Sequence, residues 1–327
     1  MKDMNRRSFI KIATAASAAA GAVGCASTES PKFRSATLGA AEPPATKDPG
    51  YRMLFGACTD LAGVPMLKEL GYDFFEYAAA PTLQPEKSDE EWRRQRRKIL
   101  NAALPLRSCN GFLPGTFRLT GPKADFAPVL DYADILCRRA DEVGLKYIVF
   151  GSGGARNVPC VFGPAKTKED LNDIQGGRDQ FIEFTKRLAD RIANRKVTIV
   201  IEPLCPNESN IINYVWQGMQ VVRIVNSPRV RQLADLFHMM QGWEKPDSIL
   251  EAGPDLLHCH IASKGDRNYP GSGDVESLKP LFHALKQIGY TGGVSCECGW
   301  RDPTGKLTKR DMMAKALATM RDLEANA

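Results

Sequence analysis

Four side chains that can bind a metal ion lie in the second half of the chain, each at or near the end of an apolar run. Glu202 follows "VTIVI", and the other three lie in "RQLADLFH", "LLHCHIA" and "GGVSCEC". These three are Asp235, His260 and Glu297, so the spacings are 33, 25 and 37 residues. Three carboxylates and one imidazole form an oxygen-rich set that suits Mn²⁺, Mg²⁺, Co²⁺ or Zn²⁺. We therefore predict one divalent metal ion at these residues; a structural ion-pair network is the alternative.

Strands and helices that could position these residues are predicted by alternating apolar runs and helical patterns. Eight apolar runs, from "RMLFGAC" to "GGVSCEC", alternate with amphipathic segments between residues 51 and 327. This alternation predicts a single α/β domain, a (β/α)₈ TIM barrel, in which functional residues lie where strands end and loops begin. A doubly wound sheet is the alternative, but no G-x-G-x-x-G follows the first run. "FGSGGAR" (150–156) follows the fourth run and is a weak dinucleotide signal.

Glu202 raises an electrostatic question of its own. The run before it, Val197 to Ile201, is typical of a strand covered on both faces. A carboxylate at the mouth of a buried strand is costly unless something pairs with it. A shared divalent cation would neutralise Glu202, and without that cation we expect its pKa to be raised.

The chain has four histidines, and their positions predict different roles. His258 and His260 share strand parity and point to one face. We predict that His260 is the metal ligand and that His258 is a packed or hydrogen-bonded neighbour. His238, three residues after Asp235, is predicted to contact a substrate hydroxyl, with a ligand role as the alternative. His283 is predicted to lie on the surface.

The first 50 residues have the character of a targeting segment. Residues 1–24 place twin arginines, Arg6 and Arg7, before a short Ala-rich run, which is typical of a twin-arginine (Tat) signal peptide. Cys25 follows small residues in a lipobox-like "AVGCAS", so it is a candidate lipidation site; a plain cleaved signal is the alternative. Residues 25–50 are predicted to be a flexible tether. The expected location is the periplasm, with the membrane reached only through a lipid anchor.

Composition and charge exclude some classes of partner. The net charge is +6, of which residues 1–24 carry +3, and "RRQRRK" (93–98) is interpreted as a solvated helix face. The remaining charge does not predict a nucleic-acid partner. Five of the nine cysteines, Cys58, Cys109, Cys259, Cys296 and Cys298, lie in apolar runs and are expected to be mostly buried free thiols.

Taken together, the motifs "IEPLCPNE", "DLFHM", "HCHIASKGDRNYPGSGD" and "GGVSCECGW" resemble those of the xylose-isomerase-like barrel superfamily. The resemblance lies in its branch of sugar phosphate isomerases and epimerases, which includes ketose 3-epimerases, hydroxypyruvate isomerase and inosose dehydratase, and it covers residues 51–327. It implies the four metal ligands already predicted. It further implies Glu208 as a substrate contact and Arg267 as a substrate clamp, with Lys264 or Asp266 as alternatives. "FGSGGARNVP" is also similar to this branch, so Arg156 is implied to reach the substrate.

Other branches of the superfamily fit less well. The apurinic endonucleases use a trinuclear zinc site with many histidines, and this chain has four. Classical xylose isomerases hold two metals and need more carboxylates than the sequence places at strand ends. The resemblance therefore favours a site with one metal ion.

The resemblance also implies a reaction. Glu202 and Glu297 would move a proton next to a sugar carbonyl through an enediolate, which gives an epimerase or isomerase of a sugar or keto-sugar. Because an exported enzyme meets free sugars and glycosides, a lyase, hydratase or dehydratase on a 3-keto-glycoside is the alternative. A non-catalytic sugar-binding lipoprotein is a third hypothesis. Trp300, like Phe112 and Trp243, is a candidate for stacking on a sugar ring, and assembly into an oligomer is compatible with the sequence.

Overall fold

The computed structural model describes residues 52–159, 161 and 165–326. The twin-arginine segment, Cys25 and the tether lie outside these described residues. Among the described helices, none combines the length and apolar character needed to cross a membrane.

Eight parallel strands form one closed barrel in chain order, because β8 pairs with β1. Each strand overlaps one of the predicted apolar runs, and the sheet closes, so the predicted TIM barrel is confirmed and the doubly wound sheet is wrong. The strands are β1 (Leu54–Cys58), β2 (Phe74–Ala78), β3 (Leu106–Asn110), β4 (Tyr147–Phe150), β5 (Thr198–Ile201), β6 (Val230–Asp235), β7 (Leu256–Ile261) and β8 (Gly293–Cys296).

Helices follow every strand of the barrel. Two of them begin with a capping box: Ser88 with Glu91, and Thr167 with Asp170. In such a box two backbone N–H groups that the helix leaves unpaired find side-chain acceptors. The described helices are α1 (Val64–Leu70), α2 (Ala79–Leu83), α3 (Asp89–Leu100), α4 (Phe126–Glu142), α5 (Gly153–Arg156), α6 (Lys168–Arg191), α7 (Val215–Val225), α8 (Leu236–Gln241), α9 (Asp247–Ala252), α10 (Lys279–Gln287) and α11 (Lys309–Asn326).

Strand parity divides the core into an outer layer and a lumen. In β5, Ile199 and Ile201 belong to the large apolar cluster that includes helix residues, whereas Val200 packs with Val149 and Leu233 in a small separate cluster. Side chains alternate along a strand, so Glu202 shares the side of Val200. The fold therefore places the carboxylate after β5 on the luminal side.

One predicted strand is shorter than its motif. β6 ends at Asp235, and α8 begins at the next residue. The Oδ1 atom of Asp235 accepts a hydrogen bond from the backbone N–H of Phe237 at 2.8 Å, so the residue that ends the strand also caps the helix. His238 therefore lies on α8, three residues beyond the end of the strand.

The cysteines and His283 follow the sequence-based expectation. Cys109, Cys259 and Cys296 are buried, Cys58 and Cys298 are partly exposed, and all five carry free thiols. His283 lies on α10 and is exposed, as predicted.

Candidate metal centre

The four predicted ligands meet at one end of the barrel. Glu202 directly follows β5, Asp235 is the last residue of β6, His260 lies near the end of β7, and Glu297 directly follows β8. One ligand atom from each side chain can be chosen so that all four lie within 4.8 Å of one another. Because parallel strands of a barrel end at one rim, residues far apart in sequence become neighbours here.

The burial of this group fits a divalent cation. Glu202 is 5% exposed, Asp235 2% and His260 0%. The Oδ2 atom of Asp235 is buried and has no hydrogen-bond partner. A buried anionic oxygen that accepts no hydrogen bond is costly, and a cation shared with two neighbouring carboxylates would remove that cost. The residues present therefore fit a divalent metal ion.

The pKa values of the two glutamates diverge although they are neighbours. Burial raises the pKa of Glu202; the hydrogen bond to His260 (Oε1 to Nδ1, 2.9 Å) opposes this rise, and the charges of Glu297 and Asp235 add to it. Burial alone would also raise the pKa of Glu297, but His260 and Arg267 lower it to about 2.

Arg267 lies at the rim of the centre. Its Nη1 atom is 2.8 Å from Glu208 Oε1, and its Nη2 atom forms an ion pair with Glu297 and lies 3.6 Å from Asp235 Oδ2. Its guanidinium group also lies 4.9 Å from the centre of the Phe237 ring. Arg267 thus bridges two proposed ligands and the predicted substrate contact Glu208.

The two alternatives to Arg267 are engaged in other contacts. Lys264 places its Nζ atom 4.1 Å from the centre of the Trp243 ring. Asp266 lies 3.6 Å from Arg301. Among the described residues, Arg267 is therefore the one of these three that forms ion pairs with the proposed ligands.

His238 and Glu208 border the centre. The Nδ1 atom of His238 accepts a hydrogen bond from the backbone N–H of Cys205 at 3.2 Å, so its proton resides on Nε2. That Nε2 atom lies 3.4 Å from Asp235 Oδ2 and 3.9 Å from Glu208 Oε2. His238 thus presents an N–H donor beside the proposed metal, and its contact with a substrate hydroxyl stays a prediction.

Arg156 does not have the role that the resemblance implied. It is fully buried, and its guanidinium group donates to Phe150 O at 3.2 Å, Glu202 O at 2.9 Å, Ile212 O at 3.1 Å and Ser209 Oγ at 3.2 Å. Burial lowers the pKa of Arg156 to about 10, although Glu202 opposes this shift. The prediction of a direct substrate contact is wrong, because every donor nitrogen is bonded to the protein. Arg156 instead ties the ends of β4 and β5 to the following loop.

The aromatic candidates differ in their surroundings. Phe112 is fully buried, with its ring centre 5.2 Å from that of Phe150, so it packs in the core. Trp300 is partly buried and stacks on Tyr269, with ring centres 6.0 Å apart and an interplanar angle of 10°. Trp243 is 82% exposed. Contact of a sugar with Trp300 stays a prediction.

The glycines of "FGSGGAR" make room for the centre. A Cβ atom on Gly151 would lie 2.2 Å from Glu202 Oε2, and one on Gly153 would lie 2.5 Å from the backbone oxygen of Glu208. Such distances are far below van der Waals contact. These glycines therefore allow the chain to approach the ligand-bearing loop after β5, which accounts for the motif without a dinucleotide.

The structure adds residues that the sequence prediction missed. Glu76 on β2 is fully buried and hydrogen-bonded to both His258 and His260, and Ser108 on β3 donates to it. The prediction of His258 as a hydrogen-bonded neighbour is confirmed. Asn110, at the end of β3, donates to Glu297 Oε1 at 2.5 Å. One signal was available: Glu76 lies inside the apolar run "YDFFEY", as Glu202 follows "VTIVI".

The barrel and this centre define a class of protein. The chain belongs to the family of xylose isomerase-like TIM barrels, whose model matches residues 64–323.

Individual relatives are sugar epimerases. The chain is 32% identical to the L-ribulose 3-epimerase of Methylomonas sp. over 171 residues, which are 50% of this chain and 55% of the relative. It is 33% identical to a probable ketose 3-epimerase of Synechocystis sp. over 118 residues, which are 35% of this chain and 40% of the relative. The matches thus span about half or less of each relative's length. The crystal structure of a D-psicose 3-epimerase in the presence of D-fructose shares the fold, with a TM-score of 0.69 at 23% identity, over 84% of this chain and 100% of that one.

Proposed function

We propose that this protein is an epimerase or isomerase of a sugar or keto-sugar that depends on one divalent metal ion. The observation that carries the proposal is the convergence of Glu202, Asp235, His260 and Glu297 within 4.8 Å at the rim of the barrel. The curated relatives support the sugar class, because both are named as 3-epimerases of ketoses or of L-ribulose. When bound, the metal ion would act as a Lewis acid that polarises the sugar carbonyl.

The chain's own part in the reaction is proton transfer by two carboxylates. Glu202 and Glu297 approach one space from β5 and β8, and one of them removes the proton next to the carbonyl while the other returns it. Return to the other face of the same carbon gives an epimer, and return to the neighbouring carbon gives an isomer. In both cases the intermediate is an enediolate of the sugar.

The remaining residues hold the carboxylates and the substrate. Asn110 and Arg267 each bind one oxygen of Glu297, so that carboxylate has a fixed orientation. Arg267, Glu208 and His238 surround the open side of the centre with donors and acceptors for sugar hydroxyls. A fixed geometry of this kind raises the effective concentration of the reacting groups.

A screen of free ketoses and 3-keto-glycosides with added Mn²⁺, analysed by mass spectrometry and NMR, tests the proposal. Formation of an epimer or isomer by the wild type, and its loss in the Asp235→Asn variant, supports it. Elimination products without an epimer or isomer would instead establish the lyase alternative. A protein that binds sugars but converts none of them in the presence of Mn²⁺ would establish the sugar-binding lipoprotein and refute the enzyme.

We also propose that the protein is exported by the twin-arginine route and anchored through Cys25, which rests on the sequence pattern of residues 1–25. Replacing Arg6 and Arg7 by lysine should retain the protein in the cytoplasm when fractions are compared by immunoblot. The Cys25→Ser variant should be released from the membrane fraction. Export that is unaffected by the two lysines would contradict the proposal.

A further inference from the structure

A second buried polar cluster lies behind His260, on the side away from the other proposed ligands. Glu76, on β2, accepts at Oε1 from His260 Nε2 at 3.0 Å and at Oε2 from His258 Nε2 at 2.9 Å. Ser108 Oγ donates to the same Oε2 atom at 2.8 Å. Glu76, Ser108, His258 and His260 are all 0% exposed. The side chain of Glu76 thus extends from β2 across the lumen to β7, although β2 provides none of the four proposed ligands.

The two nitrogens of His260 face opposite environments. Nδ1 lies 2.9 Å from Glu202 Oε1 and 3.5 Å from Glu297 Oε2, whereas Nε2 faces Glu76. A neutral imidazole has one N–H donor and one lone-pair acceptor, and an ionised carboxylate only accepts. When no cation is bound, Nδ1 can hydrogen-bond Glu202; when a cation enters the centre, a proton held on Nε2 by Glu76 makes Nδ1 the nitrogen that gives up its proton and directs a lone pair at the ion.

Glu76 is itself held in place. Three donors from three different residues converge on its two oxygens, so the carboxylate can neither rotate nor move away without leaving a buried donor unpaired.

We propose that Glu76 is a positioning residue that fixes the orientation and the proton position of His260, and that Ser108 and His258 hold Glu76 for this task. The proposal rests on the proposed metal centre, and it concerns a residue that does not contact the metal ion or the sugar. Partners of this kind behind a metal-binding histidine typically change metal affinity by about 10–100-fold.

The variant that tests the proposal is Glu76→Gln, which has nearly the same shape. Its amide either donates to His260 Nε2, which drives the proton onto Nδ1, or keeps an acceptor there without the negative charge. Val149→Ala is the control, because Val149 lies in the luminal apolar cluster and its side chain carries no hydrogen bond. Both variants lose stability, but only Glu76→Gln should alter His260.

Two measurements on the full chain separate these effects. The dissociation constant for Zn²⁺ is obtained by chelator competition, and the histidine ¹⁵N and N–H signals are recorded with and without Zn²⁺; with four histidines in the chain, each signal can be assigned. We expect about 10–100-fold weaker Zn²⁺ binding for Glu76→Gln and a shifted or lost Nε2–H signal of His260. Val149→Ala should bind Zn²⁺ within about twofold of the wild type and keep that signal.

The opposite results are equally definite. Unchanged Zn²⁺ affinity in Glu76→Gln, or an equal loss in Val149→Ala, would overturn the proposal, as would two equivalents of Zn²⁺ bound by the wild type. If Glu76→Gln does not fold, Ser108→Ala replaces it, with an expected loss of affinity of several-fold. Failure of the proposed function is distinguishable, because a wild type that binds Zn²⁺ but converts no sugar leaves these readouts intact. A wild type without the Nε2–H signal refutes the role of Glu76 whatever the reaction is.

Discussion

The Arg156→Lys substitution should destabilise the barrel strongly. In the wild type, the guanidinium group bonds three backbone oxygens and one hydroxyl that surround it, with the carbonyl of Glu202 among them. Lysine has a shorter side chain than arginine, and its ammonium group is compact where the guanidinium is a planar fork. We therefore expect lysine to keep two of these four partners at most. Two partners and a buried charge are then left unsatisfied.

The magnitude follows from these contacts. Hydrogen bonds to a charged group contribute about 1.5–3 kcal/mol each, so two lost bonds lower the free energy of unfolding by about 3–6 kcal/mol. For a domain of this size, about 2–4 °C in melting temperature corresponds to 1 kcal/mol, which gives a decrease of at least about 6 °C.

Thermal unfolding followed by circular dichroism measures this decrease. Arg94→Lys provides the same chemical change at an exposed site, where Arg94 pairs with Glu90 at 2.8 Å on α3, and it should shift the free energy of unfolding by less than about 1 kcal/mol. An Arg156→Lys protein that melts within 2 °C of the wild type would refute the structural role. If the KM of this variant for a sugar rose at the same time, the prediction that Arg156 contacts the substrate would be correct after all.

Three further predictions concern the metal centre. Asp235→Asn keeps the oxygen that caps α8 and removes the anionic oxygen that accepts no hydrogen bond, so metal affinity should fall at least about 100-fold while the metal-free protein melts no lower than the wild type. Calorimetric titration and thermal unfolding test this, and a lower melting point would contradict it. Divalent metal at about 100 times its dissociation constant should stabilise the wild type by about 2.7 kcal/mol, and a chelator should reverse the effect; the absence of any shift argues against the centre. Gly151→Ala should displace the Glu202 carboxylate, because the new Cβ would lie 2.2 Å from Oε2. The expected result is weaker metal binding in a folded protein, and unchanged affinity would show that Glu202 need not move.

Much of the fold could be predicted because buried parallel strands have a simple signature. Runs such as "VTIVI" are apolar on both faces, so β5 and its neighbours were located from composition alone. The ligand set followed from the same reasoning, since Glu202 and Glu297 stand where such runs end. His260 was separated from His258 by its position nearer to the strand end.

The errors and omissions have identifiable physical causes. Glu76 was missed because its contact with His260 depends on closure of the barrel, which brings β2 across the lumen from β7. One carboxylate in an apolar run does not show which residue it will contact. Arg156 was misassigned because a short motif does not reveal whether a side chain points to the mouth or packs behind it. The run "RQLADLFH" did not show where β6 ends, because Asp235 both ends β6 and caps the helix that carries His238.

Exchange of solvent deuterium into a sugar tests the central claim most directly. The wild type with Mn²⁺ is incubated in D₂O with ketoses such as D-psicose and L-ribulose, and NMR follows the carbon next to the carbonyl. We predict exchange accompanied by epimer or isomer formation, and at least about 100-fold slower exchange in Glu297→Gln. Wild-type protein that holds its metal but exchanges deuterium into no sugar, or a Glu297→Gln variant that exchanges at the wild-type rate, would contradict the account.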